Sequence, residues 1–172
     1  VFTKPITNQI YDGGVNLYCG MLAVLAVFLY LFVKEHPWQK IKKYALLALL
    51  LISFNHQTLN YIWHGMHDQY GIPNRFSFVF IFVLLMMTYD AVRRITEIDI
   101  CFVISSVLLA GAFVFACKQQ AGETIGKYAL PASLVLLVLY GAACCLRSRK
   151  KITHATYIAA IGSVCLVELV AN

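Results

Sequence analysis

Ile100-Cys-Phe-Val-Ile-Ser-Ser-Val-Leu-Leu-Ala-Gly-Ala-Phe-Val-Phe-Ala-Cys117 decides what kind of chain this is. It carries no charged side chain and comes close to the roughly 20 apolar residues that a helix needs to cross about 30 Å of hydrocarbon. Working outward in both directions, six candidate spans can be drawn, at about 14–33, 43–65, 76–92, 100–117, 128–146 and 153–171. Their apolar residues do not alternate with polar ones, and an open strand would leave backbone groups unsatisfied in lipid, so all six are expected to be helices. The expected fold class is all-α, a single polytopic transmembrane helix bundle over residues 1–172.

Composition agrees. Of 172 residues, 60% are hydrophobic and 13% charged, against about 45–50% and about 25% in a soluble domain. A nucleic-acid partner is therefore excluded as the reason for the net charge of +6, because in a membrane protein Lys and Arg report topology. Lys34, Lys40, Lys42, Lys43, Arg93, Arg94, Arg147, Arg149, Lys150 and Lys151 fall in the links after spans one, three and five. Only Lys4, Arg75, Lys118 and Lys127 fall on the other side. Positive residues favour the cytoplasm, so both termini and the loops at 66–75 and 118–127 are expected outside. The basic clusters at 40–43 and 147–151 would then anchor the chain to anionic lipid.

No secretory signal pattern precedes the first span. With Val1 as its first residue, the chain is expected to be a piece of a longer membrane protein whose remainder is a partner to it. Cys19, Cys101, Cys117, Cys144, Cys145 and Cys165 lie in or at the ends of apolar runs and read as small core-like residues, with no redox argument in the sequence.

The second span is chemically unusual. After Tyr44–Phe54 it turns polar while still within the outer leaflet: Asn55-His-Gln-Thr-Leu-Asn60-Tyr-Ile-Trp63-His64-Gly-Met-His67-Asp68. On one continuous helix His56, Asn60, Trp63, His64 and His67 would share a stripe, with Leu59, Ile62 and Met66 opposite. Polar groups at that depth are costly unless they face water or the bundle interior. Gly71, Pro73 and Asn74 then mark a turn, and Arg75 stands at the mouth of span three. Three readings fit. His64, His67 and Asp68 have spacing that could hold a divalent metal, although no fourth ligand is evident. Alternatively Arg75 offers a planar fork for phosphate, Asn60 and the histidines offer hydrogen bonds, and Trp63, Tyr61 and Tyr70 offer faces for a sugar or lipid head group. Or the segment is an interfacial aromatic belt, with Arg75 snorkelling to head groups.

Asn60-Tyr-Ile-Trp-His-Gly65, then Ile72-Pro-Asn-Arg-Phe-Ser-Phe78, with Tyr89 in the next helix, resembles the signature of the YfhO family of bacterial membrane proteins. Tyr11-Asp-Gly-Gly-Val-Asn-Leu-Tyr-Cys-Gly20 is similar to a stretch that opens an earlier helix there. The resemblance covers residues 8–92, and beyond them only hydropathy matches. It implies a bacterial plasma-membrane protein related to the GT-C glycosyltransferases. Those enzymes pass a sugar from a polyprenyl-phosphate carrier to an external acceptor, here a cell-surface polymer such as lipoteichoic acid. On that basis Arg75 would pair with the carrier phosphate, while Asn60, His64 and His67 line the sugar or phosphate pocket beside Trp63. The resemblance places the catalytic carboxylate of the class in an earlier external loop. Neither Asp12 nor Asp68 matches it, so no catalytic base is assigned; no cofactor is expected, with the divalent metal at His64, His67 and Asp68 as the alternative. A lipid-linked-sugar flippase and a ligand-free structural bundle are the alternatives.

Other residues have plainer roles. Asp90 and Arg94 are spaced as an interfacial i, i+4 pair, and Pro131 suits the first turn of a helix. Gly111, Gly141 and Gly162 would allow close helix packing. Glu168, near the outer end of the last span, reads either as an intramembrane functional group or, as expected so close to the end, as an acid that reaches water.

Overall fold

The computed structural model describes residues 19–67, 76–121 and 128–171. Among them are seven α-helices: α1 (Met21–Tyr30), α2 (Pro37–Asn55), α3 (Gln57–Trp63), α4 (Ser77–Arg93), α5 (Ile100–Ala121), α6 (Ala129–Ser148) and α7 (His154–Ala171). A 3-10 turn, Ile95–Glu97, links α4 to α5, and no described residue is in a strand. The all-α expectation holds. By length and composition, Ile100–Gln120 and Ala129–Ser148 are long and apolar enough to cross a membrane, while Met21–Tyr30 and His154–Val170 are shorter apolar helices.

Local chemistry accounts for the helix ends. Pro37 occupies the first position of α2, where a missing N–H is harmless, and His36 Nδ1 accepts the Trp38 N–H at 3.3 Å. Thr153 Oγ1 accepts the Thr156 N–H at 3.2 Å at the start of α7. The expected span boundaries agree within a few residues for α4, α6 and α7, and α5 continues past Cys117 to Ala121.

Spans one and two differ from expectation. α1 starts at Met21 because Gly20, with φ +89, lies outside the helical region. The expected continuous helix over 43–65 is broken at His56, which is extended at φ −109 and ψ 110. The side chains of Ser53 and Asn55 donate to the carbonyls of Leu49 and Leu51, at 2.7 and 3.2 Å. Such back-bonding competes with continuation of the helix. The break is a fold-back: Trp63 Nε1 donates to Ser53 Oγ at 3.1 Å, whereas ten residues along a straight helix would lie about 15 Å apart.

The chain divides into two compact units. The first includes Glu35–Leu85, and the second includes Cys19–Lys34 and Met86–Asn172. In the second, α6 is the hub, touching α5, α7, α1 and the 3-10 turn, and α1 also packs on α5. The buried face of α6 is Ser133, Leu137, Tyr140, Gly141, Ala143 and Cys144. α1 is apolar throughout and buries Met21, Ala23, Leu25, Ala26, Leu29 and Tyr30, as expected of a helix enclosed by others. α5 buries only the stripe Val103, Ser106, Ala110 and Val114. Ile104, Leu108, Leu109 and Phe115 are exposed on it, as are Leu166, Val167 and Leu169 on α7. Apolar faces of that extent suit acyl chains rather than water.

Glu168 is only 6% exposed, so it does not reach water as expected. Its Oε1 accepts the Met21 backbone N–H at 2.6 Å and its Oε2 accepts the Tyr140 hydroxyl at 2.7 Å. The last helix thereby supplies the acceptor for the first helix's N-terminus, whose partial positive charge favours an anion. Glu168→Leu should remove about 2–4 kcal/mol of stability by leaving two buried donors without an acceptor. Thermal unfolding in detergent measures this, with Glu168→Gln expected to lose less.

Of the three glycines expected to permit close packing, Gly141 does so. A Cβ there would lie 2.6 Å from Val107 Cγ2, whereas at Gly111 it would make ordinary contact and at Gly162 it would meet nothing. Gly141→Ala should therefore cost about 1–3 kcal/mol through overpacking between α5 and α6. Gly162→Ala should be close to neutral in the same unfolding assay.

Candidate functional site

The polar segment lies in the first unit, where α3 folds back on α2. α3 ends in a complete Schellman motif. Gly65 donates its N–H to the Ile62 carbonyl and Met66 to that of Tyr61, both at 3.1 Å, with Gly65 at φ +69 and Met66 at φ +62. Trp63-His64-Gly65 is thus the last helical residue, its cap and the left-handed residue that stops the helix.

This cap and the break at His56 divide the expected stripe. His56 sits at the break and His67 lies beyond the cap, exposed, so neither continues a helical face with the others. Asn60, Trp63 and His64 remain together. His64 Nδ1 donates to the Asn60 carbonyl at 2.8 Å, which requires the tautomer with hydrogen on Nδ1, because a carbonyl only accepts. Asn60 and His64 are half-buried, and Trp63 is 43% exposed.

Phe76 is the residue that organises them. It is 5% exposed and stacks on Phe54 at 4.7 Å and on Trp63 at 5.4 Å, with the His64 ring edge-on at 6.2 Å. Phe80 meets Phe54 in an edge contact at 5.7 Å. Each offset or edge contact adds about 0.5–1.5 kcal/mol beyond burial. In the sequence Phe76 stands out only as part of the 72–78 motif. Its apolar bulk beside a charged, turn-forming run was the signal that could have marked it as an anchor.

Arg75, Asp68, Tyr70 and the Gly71–Asn74 turn lie outside the described residues, as do Asp12 and the Tyr11–Tyr18 part of the upstream motif. Among the described residues no group of three or more His, Cys, Asp or Glu side chains is placed to hold a metal. The metal reading of His64 and His67 also depended on Asp68, which is not described.

What the site offers is an aromatic wall with hydrogen-bonding groups at its edge, carried at the end of an apolar helix. A family model described as "Bacterial membrane protein YfhO" matches residues 3–172. The chain belongs to the YfhO family. The match takes in nearly the whole chain, including α5 to α7, where only hydropathy had agreed with the resemblance. This YfhO-family chain is therefore a bacterial membrane protein, and its exposed apolar helix faces are chemically suited to lipid. No curated protein and no solved structure shows significant similarity to it.

The αL position at Gly65 gives a direct test. Nothing lies within 4 Å of a Cβ built there, so Gly65→Ala should cost about 1 kcal/mol through backbone conformation alone. Gly65→Asn should cost less, since Asn tolerates αL. Thermal unfolding of the three proteins, with protease sensitivity of the 61–67 turn, measures the difference.

Proposed function

We propose that this YfhO-family chain is part of an integral membrane glycosyltransferase that takes a sugar from a polyprenyl-phosphate carrier and passes it to an extracellular cell-surface polymer resembling lipoteichoic acid. In this reading the chain crosses the bacterial plasma membrane several times with both ends outside, and its 60–76 region binds the lipid phosphate and sugar. The catalytic base lies elsewhere in the full-length protein. The observation that carries the proposal is the packing of Trp63 and His64 against Phe76, the covalent neighbour of Arg75.

Each residue has a chemical task. Arg75 supplies a planar guanidinium that pairs with two phosphate oxygens. His64 and Asn60 supply hydrogen bonds to phosphate or sugar hydroxyls, and the exposed face of Trp63 packs on a sugar ring. His67 lies beyond the cap with its side chain exposed and meets the outer part of the carrier head group. The isoprenoid tail runs along apolar helix faces that already contact lipid. The resemblance of residues 60–65 and 72–78 to the family signature points to this same segment.

The test is binding of undecaprenyl phosphate to the purified full-length protein, comparing wild type with Arg75→Ala and His64→Ala. Arg75→Ala should weaken binding at least about tenfold, the loss of one charge-assisted pair. His64→Ala should weaken it by less, and thermal unfolding of the Arg75 variant should be unchanged. Equal binding by all three proteins would remove the phosphate from this segment and leave Trp63-His64-Gly65 as an architectural turn.

A further inference from the structure

The end of the second unit opposite Glu168 gathers loops from four helices. Arg94 Nη1 donates to the Lys34 carbonyl after α1 at 3.2 Å, and Ser148 Oγ donates to the Ile98 carbonyl before α5 at 2.6 Å. Arg147 Nη1 donates to the Ile152 carbonyl before α7 at 2.9 Å. These three tethers hold Lys34, Arg93, Arg94, Arg147, Arg149, Lys150 and Lys151 on one end of the unit, against the acids Asp90, Glu97 and Asp99. Arg93, Arg149, Lys150 and Lys151 are exposed.

Lys150 is the informative residue. It closes α6 in a Schellman motif, donating to the Arg147 carbonyl at 2.9 Å while Lys151 donates to Leu146 at 3.0 Å, and its φ is +55. Glycine takes that conformation without strain and is the usual residue there. A lysine stands in its place, flanked by two further exposed cations. About a turn inward, Leu146, Phe102 and Ile158 are each 44–45% exposed, so cations lie above apolar side chains. That layering matches a phospholipid, whose anionic phosphate sits above its acyl chains, better than it matches a soluble polyanion.

We propose that this basic end of the second unit is a binding surface for anionic phospholipid head groups of the facing leaflet, with Arg149, Lys150 and Lys151 as its main contacts. The proposal stands on the membrane location and does not depend on the glycosyltransferase reading. Each cation near an anionic leaflet is worth about fivefold in affinity, so losing three should cost about a hundredfold.

The experiment uses the full-length protein in nanodiscs of phosphatidylcholine with and without phosphatidylglycerol. It reads the thermal midpoint and the phosphatidylglycerol affinity by native mass spectrometry. Wild type should gain stability from phosphatidylglycerol, and Arg149→Gln/Lys150→Gln/Lys151→Gln should lose most of that gain and about a hundredfold in affinity. Lys150→Gly should melt higher than wild type in pure phosphatidylcholine, because the strain is relieved, yet gain less from phosphatidylglycerol. This single variant keeps the test intact should the triple variant fold poorly. Lys118→Gln, which removes a cation from the far end of α5 in the same unit, should leave most of the gain. The proposal is overturned if the triple variant and Lys150→Gly respond to phosphatidylglycerol as wild type does. It is also overturned if the control loses as much as the triple variant, or if inorganic phosphate added to phosphatidylcholine discs reproduces the gain.

Discussion

In hydrocarbon a polar group must find its partner within the protein, and the bond between Glu168 and the start of α1 is where that constraint bears hardest. A helix that begins inside a bundle presents backbone N–H groups with no water to accept them. The carboxylate of Glu168 takes one of these and the Tyr140 hydroxyl as well, so α1, α6 and α7 are joined at one point. The carboxylate needs the donors as much as they need it, since an unpaired charge there would be far more costly than the bonds are favourable. Gly20 at φ +89 completes the arrangement by turning the chain into α1, and a Cβ added there would meet the Glu168 carboxylate at ordinary contact distance.

Smaller polar groups obey the same rule more locally. Ser105, Ser106, Ser133 and Ser163 each donate to the carbonyl four residues earlier in their own helix. Such hydroxyls need no neighbour and leave the outer faces of α5 and α7 free to meet lipid. Ser53 makes the same bond but also accepts from Trp63. That second bond ties the fold-back and turns a polar break in a helix into a platform for Phe76. The candidate site thus follows from one interruption in α2, a glycine stop at the end of α3 and an aromatic anchor at the start of α4.

How far the sequence could be read depends on the range of the forces involved. The apolar runs at 100–117, 128–146 and 153–171 became α5, α6 and α7 with small boundary shifts, because helix formation in lipid is a local demand on each backbone group. The stop at Gly65 was also local, and a glycine after an amphipathic run is a known signal. Helical spacing alone continues past it, from His64 to His67, and masks the stop. The break at His56 carries neither proline nor glycine, and the bond that sets it apart, from Trp63 to Ser53, joins residues ten apart across the fold-back. For Glu168, proximity to the end of a span suggested water, while its actual partners lie 28 and 147 residues away in the chain.

Sequence alone determined the solvent, the helical class and the family. These depend on composition and on periodicities of a few residues, which any single stretch expresses by itself. Only the tertiary structure decided which glycine brings helices together, that Glu168 caps α1, that Phe76 gathers Trp63 and His64, and that His67 stands apart from them. Those outcomes rest on contacts between residues distant in the chain, whose geometry is set when helices pack and is absent from any one of them.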